Sequence, residues 1–244
     1  MGRIFITGSA DGLGQLAAKA LIAQGHQVLL HARNEKRAEE AMNKVPSAES
    51  IVTADLGSID ETILLAEKVN ASGVFDAIIH NAGVYTASPK ELFTVNTLAP
   101  YILTALIQKP KRLIYLSSDM HQGGRSKLEN FKTDISRISY SDTKLHVLLL
   151  CKAVAGKWPD VYANAVNPGW VPTKMGGAGA PDDLQKGYET QVWLAASNDE
   201  RVKVSGRLFH HQKEVRCNAE ADDALLQEKF LSLCEEVTGV SLPG

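Results

Sequence analysis

Tyr140 and Lys144 stand four residues apart in Ser139-Tyr140-Ser141-Asp142-Thr143-Lys144, a spacing that puts both on one face of a helix with Cβ atoms about 5–6 Å apart. Such a pair can make a phenol act as a general acid. A free tyrosine titrates at about 10, so proton transfer near neutral pH needs the phenol lowered by roughly three units, worth about 4 kcal/mol. One ammonium at about 4 Å, in an effective dielectric of about 20, supplies about that much. The same spacing also fits a half-buried ring beside a solvated amine, so the rest of the chain must discriminate.

The elements that would position the pair begin at residues 3–7, an apolar run that breaks into Gly8-Ser9-Ala10-Asp11-Gly12-Leu13-Gly14 before a helical pattern over 15–24. Glycines at 8, 12 and 14 let the backbone approach a pyrophosphate, which then sits against the free N–H groups and positive end of the helix. The spacing is Gly-x-x-x-Gly-x-Gly, not the commoner Gly-x-Gly-x-x-Gly, and a mere tight turn is the plain alternative. Strand patterns follow near 27–32, 50–54, 76–80, 112–117, 161–166 and 207–210, alternating with helical patterns near 35–45, 58–72, 91–107, 138–156, 183–196 and 221–237. Residues 118–136 read as irregular. Repeated strand–helix units predict one α/β domain over 1–244, a doubly wound Rossmann-type fold with a mostly parallel sheet of about seven strands.

In such sheets ligands bind beyond the carboxyl ends of the strands, where strand order reverses. The polar punctuation of this chain falls there: the glycine turn, Arg33, Asp55-Leu56, Asn81-Ala82-Gly83, Ser117-Ser118 and Asn167-Pro168-Gly169. After the second strand, Ala32-Arg33 offers a guanidinium suited to a 2′-phosphate and no carboxylate for a 2′-hydroxyl. NADP(H) is expected over NAD(H), although Asp11 places a negative charge in the glycine turn.

With 244 residues, 44% hydrophobic and 22% charged, and a formal net charge of −2, the chain reads as a globular protein with one large core and no nucleic-acid surface. Lys109-Pro110-Lys111-Arg112 reads as a solvated loop. Cys151, Cys217 and Cys234 are odd in number and widely spaced, which suggests neither a disulfide framework nor a zinc site and fits a reducing, cytoplasmic compartment. No apolar run approaches the roughly 18 residues of a membrane span, and no signal or transit segment is read at the start.

Assembled, these residues resemble the classical short-chain dehydrogenase/reductase family from Arg3 to about Leu208. The resemblance rests on Thr7-Gly8-x-x-x-Gly12-x-Gly14, Asp55-Leu56, Asn81-Ala82-Gly83, Asn96, Ser118, Tyr140-x-x-x-Lys144, and Pro168-Gly169 with Val171 and Thr173. The scarcity of fixed charge near the expected pocket points to a neutral and apolar substrate. The resemblance implies hydride transfer between a nicotinamide cofactor and a small carbonyl or alcohol, with Tyr140 as acid/base and Ser118 hydrogen-bonded to the substrate oxygen. It further implies that Lys144 lowers the phenol and holds the nicotinamide ribose, and that Asn96 binds a water in a proton path through Lys144. By the same likeness Gly8, Ser9, Gly12, Leu13 and Gly14 hold the pyrophosphate, Asp55 and Leu56 the adenine, Asn81, Ala82 and Gly83 the ribose side, and Thr173 a phosphate or carboxamide.

The insert between Ser118 and Tyr140 is long and resembles the retinol-dehydrogenase-like branch. The stretch near 105–112 is short, which leaves a homo-oligomer open, and the bland expectation for the final helix is that it packs across the substrate cleft. His121 and Trp170 fall where substrate contact is conceivable, and 175–180 is glycine-rich like a lid. Adjacent His210 and His211 should point to opposite sides of a strand, so no metal site is expected. Cys151 reads as core. The rival reading is a dinucleotide-binding scaffold or redox sensor that signals through a protein partner, disfavoured because all four catalytic side chains are present.

Overall fold

In the computed structural model, which describes residues 1–244, one eight-stranded sheet runs in the order β3-β2-β1-β4-β5-β6-β7-β8. The strands are β1 (Arg3–Ile6), β2 (Gln27–Ala32), β3 (Ser50–Thr53), β4 (Ala77–His80), β5 (Arg112–Leu116), β6 (Tyr162–Asn167), β7 (Leu208–His210) and β8 (Lys213–Val215). The first seven pair in parallel and β8 returns antiparallel to β7. Strand order reverses between β1 and β4, which fixes the ligand crevice above their carboxyl ends. The helices are α1 (Gly12–Ala23), α2 (Glu35–Lys44), α3 (Ile59–Ala71), α4 (Pro89–Phe93), α5 (Ala99–Leu106), the one-turn α6 (Asn130–Thr133), α7 (Tyr140–Lys157), α8 (Leu184–Ala196) and α9 (Ala224–Thr238).

Central strands are apolar on both faces because helices cover both. Phe5, Leu29, Ile78, Leu113 and Tyr115 face the core beneath α3, α5 and α7. Their neighbours Ile4, Val28, Leu30, Ile79 and Ile114 face the opposite core with Ala17, Leu21 and Leu194, the period of two expected of a strand. Local chemistry starts the helices. Asn34, Ser58, Ser88 and Asp183 each accept a hydrogen bond from a first-turn amide, and Ser139 with Asp142 forms a full capping box at α7.

The expected doubly wound, mostly parallel sheet is present with one strand added, and four local expectations need correcting. The sheet has an eighth strand, because Lys213-Glu214-Val215 is an exposed edge without alternation and its turn, His211 and Gln212 at φ 48° and 59°, lacks the usual Asn-Gly signature. The turn brings the rings of His210 and His211 into a stack 3.8 Å apart, since His211 belongs to the turn and not to a strand. The helix expected over 91–107 is broken into α4 and α5 by a π turn over Thr94–Leu98. Finally, α9 does not cross the cleft. It lies along α7 and α6, where Phe230 meets His146 and Phe131. In the stretch read as a solvated basic loop, Arg112 is drawn inward and donates to the carbonyls of Leu194 and Ser197 at the end of α8.

Candidate active site

The glycine turn is built by steric exclusion. Gly8 sits at φ 63°, where a Cβ would lie 2.8 Å from Ala82 Cα, and a Cβ on Gly14 would lie 2.4 Å from Asn81 Nδ2. The amides of Leu13 and Gly14, in the first turn of α1, have no intrahelical acceptor. The result is a backbone cradle at the positive end of a helix, which fits a diphosphate. The side chains of Ser9, expected at the pyrophosphate, and of Asn81, expected at the ribose side, hold the cradle itself. The Ser9 hydroxyl is fully buried, donating to Ile6 O at 2.9 Å and accepting from His31 N. Asn81 Nδ2 donates to the carbonyls of Thr7 and Gly8 at 3.0 and 3.1 Å, and Ala82 N donates to Thr7 Oγ1. Both side chains are turned into the fold because two backbone segments cross there without sheet pairing.

His31, unmarked in the sequence, joins this frame. Its Nε2 donates to Ala54 O at 3.1 Å and its Nδ1 accepts from Gly8 N at 3.0 Å, a tautomer fixed by the carbonyl, which can only accept. Burial lowers its pKa to about 4.

Arg33, the residue after β2, is an exposed cation. Arg37, one turn into α2, pairs with Glu40 and with Asp11 at 2.8 and 3.2 Å, and Lys174 pairs with Asp11 at 2.5 Å. Partial burial opposes ionisation of Asp11, but hydrogen bonds from Lys174, the Gly12 amide and Arg37 outweigh it and hold the pKa down at about 2. The negative charge in the glycine turn is therefore matched by two cations and caps α1. Asp55 accepts from Gly57 N, and the side chain of Leu56 is buried.

Tyr140 is the first residue of α7, and Lys144 follows one turn on, nearly buried. Lys144 Nζ lies 5.4 Å from the centre of the Tyr140 ring and donates to Leu116 O at 2.8 Å. Burial pushes the phenol up to about 12, opposed by a hydrogen bond with Ser118, and lowers Lys144 to about 8. The Lys144 ammonium is turned to a backbone carbonyl here, and burial is the largest influence on Tyr140. The phenol stays protonated at neutral pH and is able to donate. Asn96, at the middle of the π turn, accepts from Val84 N at 2.8 Å and donates to Val84 O and Thr143 Oγ1 at 2.9 and 3.1 Å. Both amide hydrogens are taken, so its side chain clamps the loop after β4 to α7, and Thr143 carries that clamp to Tyr140 O. A Cβ on Gly83 would lie 3.3 Å from Asn96 Oδ1 and 3.4 Å from Lys144 Nζ, which shows how closely loop and lysine approach.

Around the phenol, Tyr85 packs edge-on against Tyr140 with ring centres 4.8 Å apart. His121 turns inward, its Nδ1 donating to Ser118 O, while Trp170 is exposed and donates through Nε1 to Gly176 O at 2.8 Å. Gly169 takes φ 82° and Val171 is buried, and a Cβ on Gly12 would stand 3.9 Å from the Thr173 side chain. At the front of the glycine-rich segment Gly176 N and Gly177 N donate to Thr173 Oγ1 and O, which closes a turn within the loop. Cys151 is buried, and all three cysteines are free thiols. No helix is long and apolar enough to cross a membrane.

Comparison with known proteins follows this geometry. The sequence profile described as short chain dehydrogenase matches residues 3–114. Over the whole of both chains, the protein is 45% identical to an uncharacterized oxidoreductase of Emericella nidulans and 41% identical to the short-chain dehydrogenase chyC of Penicillium rubens. A crystal structure from Mycobacterium paratuberculosis superposes with a TM-score of 0.85 at 23% identity, covering 100% of this chain and 96% of the other, a likeness of fold.

Proposed function

Since the chain belongs to the short-chain dehydrogenase/reductase family, we propose that it is an NADP(H)-dependent carbonyl reductase or alcohol dehydrogenase, one cofactor-binding domain acting on a neutral, apolar substrate in a reducing, cytoplasmic compartment. The observation that carries this reading is the convergence of Ser118, Tyr140 and Lys144 beside the glycine cradle, on the carboxyl edge where strand order reverses. The reduced nicotinamide, when bound, supplies hydride to the carbonyl carbon. Tyr140 gives its phenolic proton to the carbonyl oxygen, and Ser118 donates a hydrogen bond to that oxygen as negative charge develops. The phenolate left behind faces the Lys144 cation, whose effect grows in a dry site. Asn96 holds Gly83 and the start of α7 in register for both.

Arg33 supports NADP(H): it follows β2 without a salt bridge or side-chain partner, and Arg37 brings a second guanidinium to the same corner. The test is oxidation of NADPH and NADH with aldehydes, ketones, quinones and retinoids, for the wild type and Tyr140→Phe in parallel. Wild-type turnover that is lost in the variant, with NADPH preferred, supports the reading. Cofactor binding without turnover of any member would overturn it in favour of a non-catalytic scaffold.

A further inference from the structure

Nine large apolar side chains stand exposed on the molecule, and four of them, Tyr85, Met120, Trp170 and Met175, lie on the three loops that follow β4, β5 and β6. These strands are neighbours in the sheet. The concentration therefore falls at the mouth of the crevice that holds Tyr140, and two short links tie it there. Tyr85 meets the catalytic ring edge-on at 4.8 Å, and the Met120 amide donates to Ser118 Oγ at 3.3 Å. Exposed apolar side chains gathered on neighbouring loops beside polar reacting groups mark a binding surface.

Its parts differ in stiffness. Tyr85 is fixed by its contact with Tyr140, and Trp170 by its bonds to Gly176 O and from its own amide to Asp182 Oδ2 at 2.6 Å. The two methionines are flexible thioethers that adapt to the edge of a ring. Tyr85 follows β4 and Trp170 follows β6, so the strand ends that carry the two aromatic walls are separated by two strand spacings, about 10 Å. A flat, fused pair of rings lying over these strand ends spans more of that distance than a short aliphatic ketone does. Asp119, next to Met120, is exposed without an ion-pair partner and repels an anion.

From this placement we infer that the substrate is a flat, multi-ring aromatic ketone or the matching alcohol, without negative charge, held between Tyr85 and Trp170 with its carbonyl toward Tyr140. The inference rests on the carbonyl-reductase reading but is testable apart from it. Binding of 2-acetylnaphthalene, its 6-carboxylate and butanone to the protein saturated with NADP+ is measured by calorimetry, for the wild type and for Tyr85→Ala, Met120→Ala and Trp170→Ala. NADP+ affinity and thermal midpoint report on folding. NADPH oxidation with the same ketones is followed separately. The naphthyl ketone should bind at least about tenfold more tightly than butanone or the carboxylate, and each aromatic truncation should weaken it by about tenfold, the upper end of one aromatic contact. Equal binding of all three ketones, no binding, or truncations without effect would overturn the inference, whatever the turnover. Selective binding that depends on the rim but yields no NADPH oxidation upholds it and overturns carbonyl reduction instead.

Discussion

Replacing His31 with leucine tests whether the glycine turn is held by a neutral imidazole. The ring joins Gly8 N to Ala54 O, and its removal leaves one buried donor and one buried acceptor unpaired, at about 1–3 kcal/mol each. The expected loss is about 2–6 kcal/mol of stability at pH 7.5. There is also a signature that a simple packing defect lacks. The folded pKa of about 4 lies below the unfolded value of 6.5, so the unfolded state takes up the proton first as pH falls. The stability this group contributes is complete above about 6.5 and is lost on the way down to about 4. Between pH 7.5 and 5.0 the loss is about 2 kcal/mol. Asp55 is the nearby charge that favours protonation, and it is opposed by the larger effect of burial. Urea unfolding across this range, with NADPH affinity followed in parallel, gives both readouts. The wild type loses stability more steeply than His31→Leu, by about that 2 kcal/mol, because His80 and His146, also buried with lowered pKa values, act equally in both proteins. Parallel curves for the two proteins would refute the reasoning.

Exchanging Arg33 for Asp is expected to raise the KM for NADPH by at least about tenfold while sparing NADH, the size of one charged hydrogen bond; steady-state kinetics with both cofactors decides it. Asn96→Ala removes three hydrogen bonds and strands both polar groups of Val84, so the urea midpoint should fall by an amount equal to about 2–4 kcal/mol, with kcat falling more than the NADPH affinity. Ser139→Ala takes away the cap of α7 and should cost about 1 kcal/mol, measured by denaturant unfolding; Tyr140 turnover should decline with it because that residue is the first of the helix.

Sequence made the sheet legible through β7, since buried parallel strands are apolar runs and the helices between them begin at Asn, Ser or Asp. It also marked Tyr140, Lys144, Ser118 and the glycines, whose types are dictated by chemistry or by backbone geometry. What it hid were relations across the fold. Ser9 and Asn81 look like ligand contacts on the page of letters but bond backward into the turn. His31 and Tyr85 carry no local pattern, because their partners Ala54 and Tyr140 are 23 and 55 residues away. Arg37 and Lys174 neutralise Asp11 from separate elements, so Asp11 looked misplaced until both neighbours were in view. Strand β8 was invisible because a three-residue polar edge has no period to detect.

The π turn at Thr94–Leu98 makes the site sensitive to the length of the chain as well as to its letters. A π turn holds one residue more than the α-helical turn it replaces. Deleting one residue from this stretch lets the segment relax into ordinary helix while the two flanking helices keep their relative phase, so the change falls on the residues inside the bulge. Asn96 would then leave Val84 and Thr143 without any substitution at a catalytic position. An in-frame deletion that leaves a more regular helix would be more damaging here than most replacements, and alignments that close this extra residue as a gap would hide why.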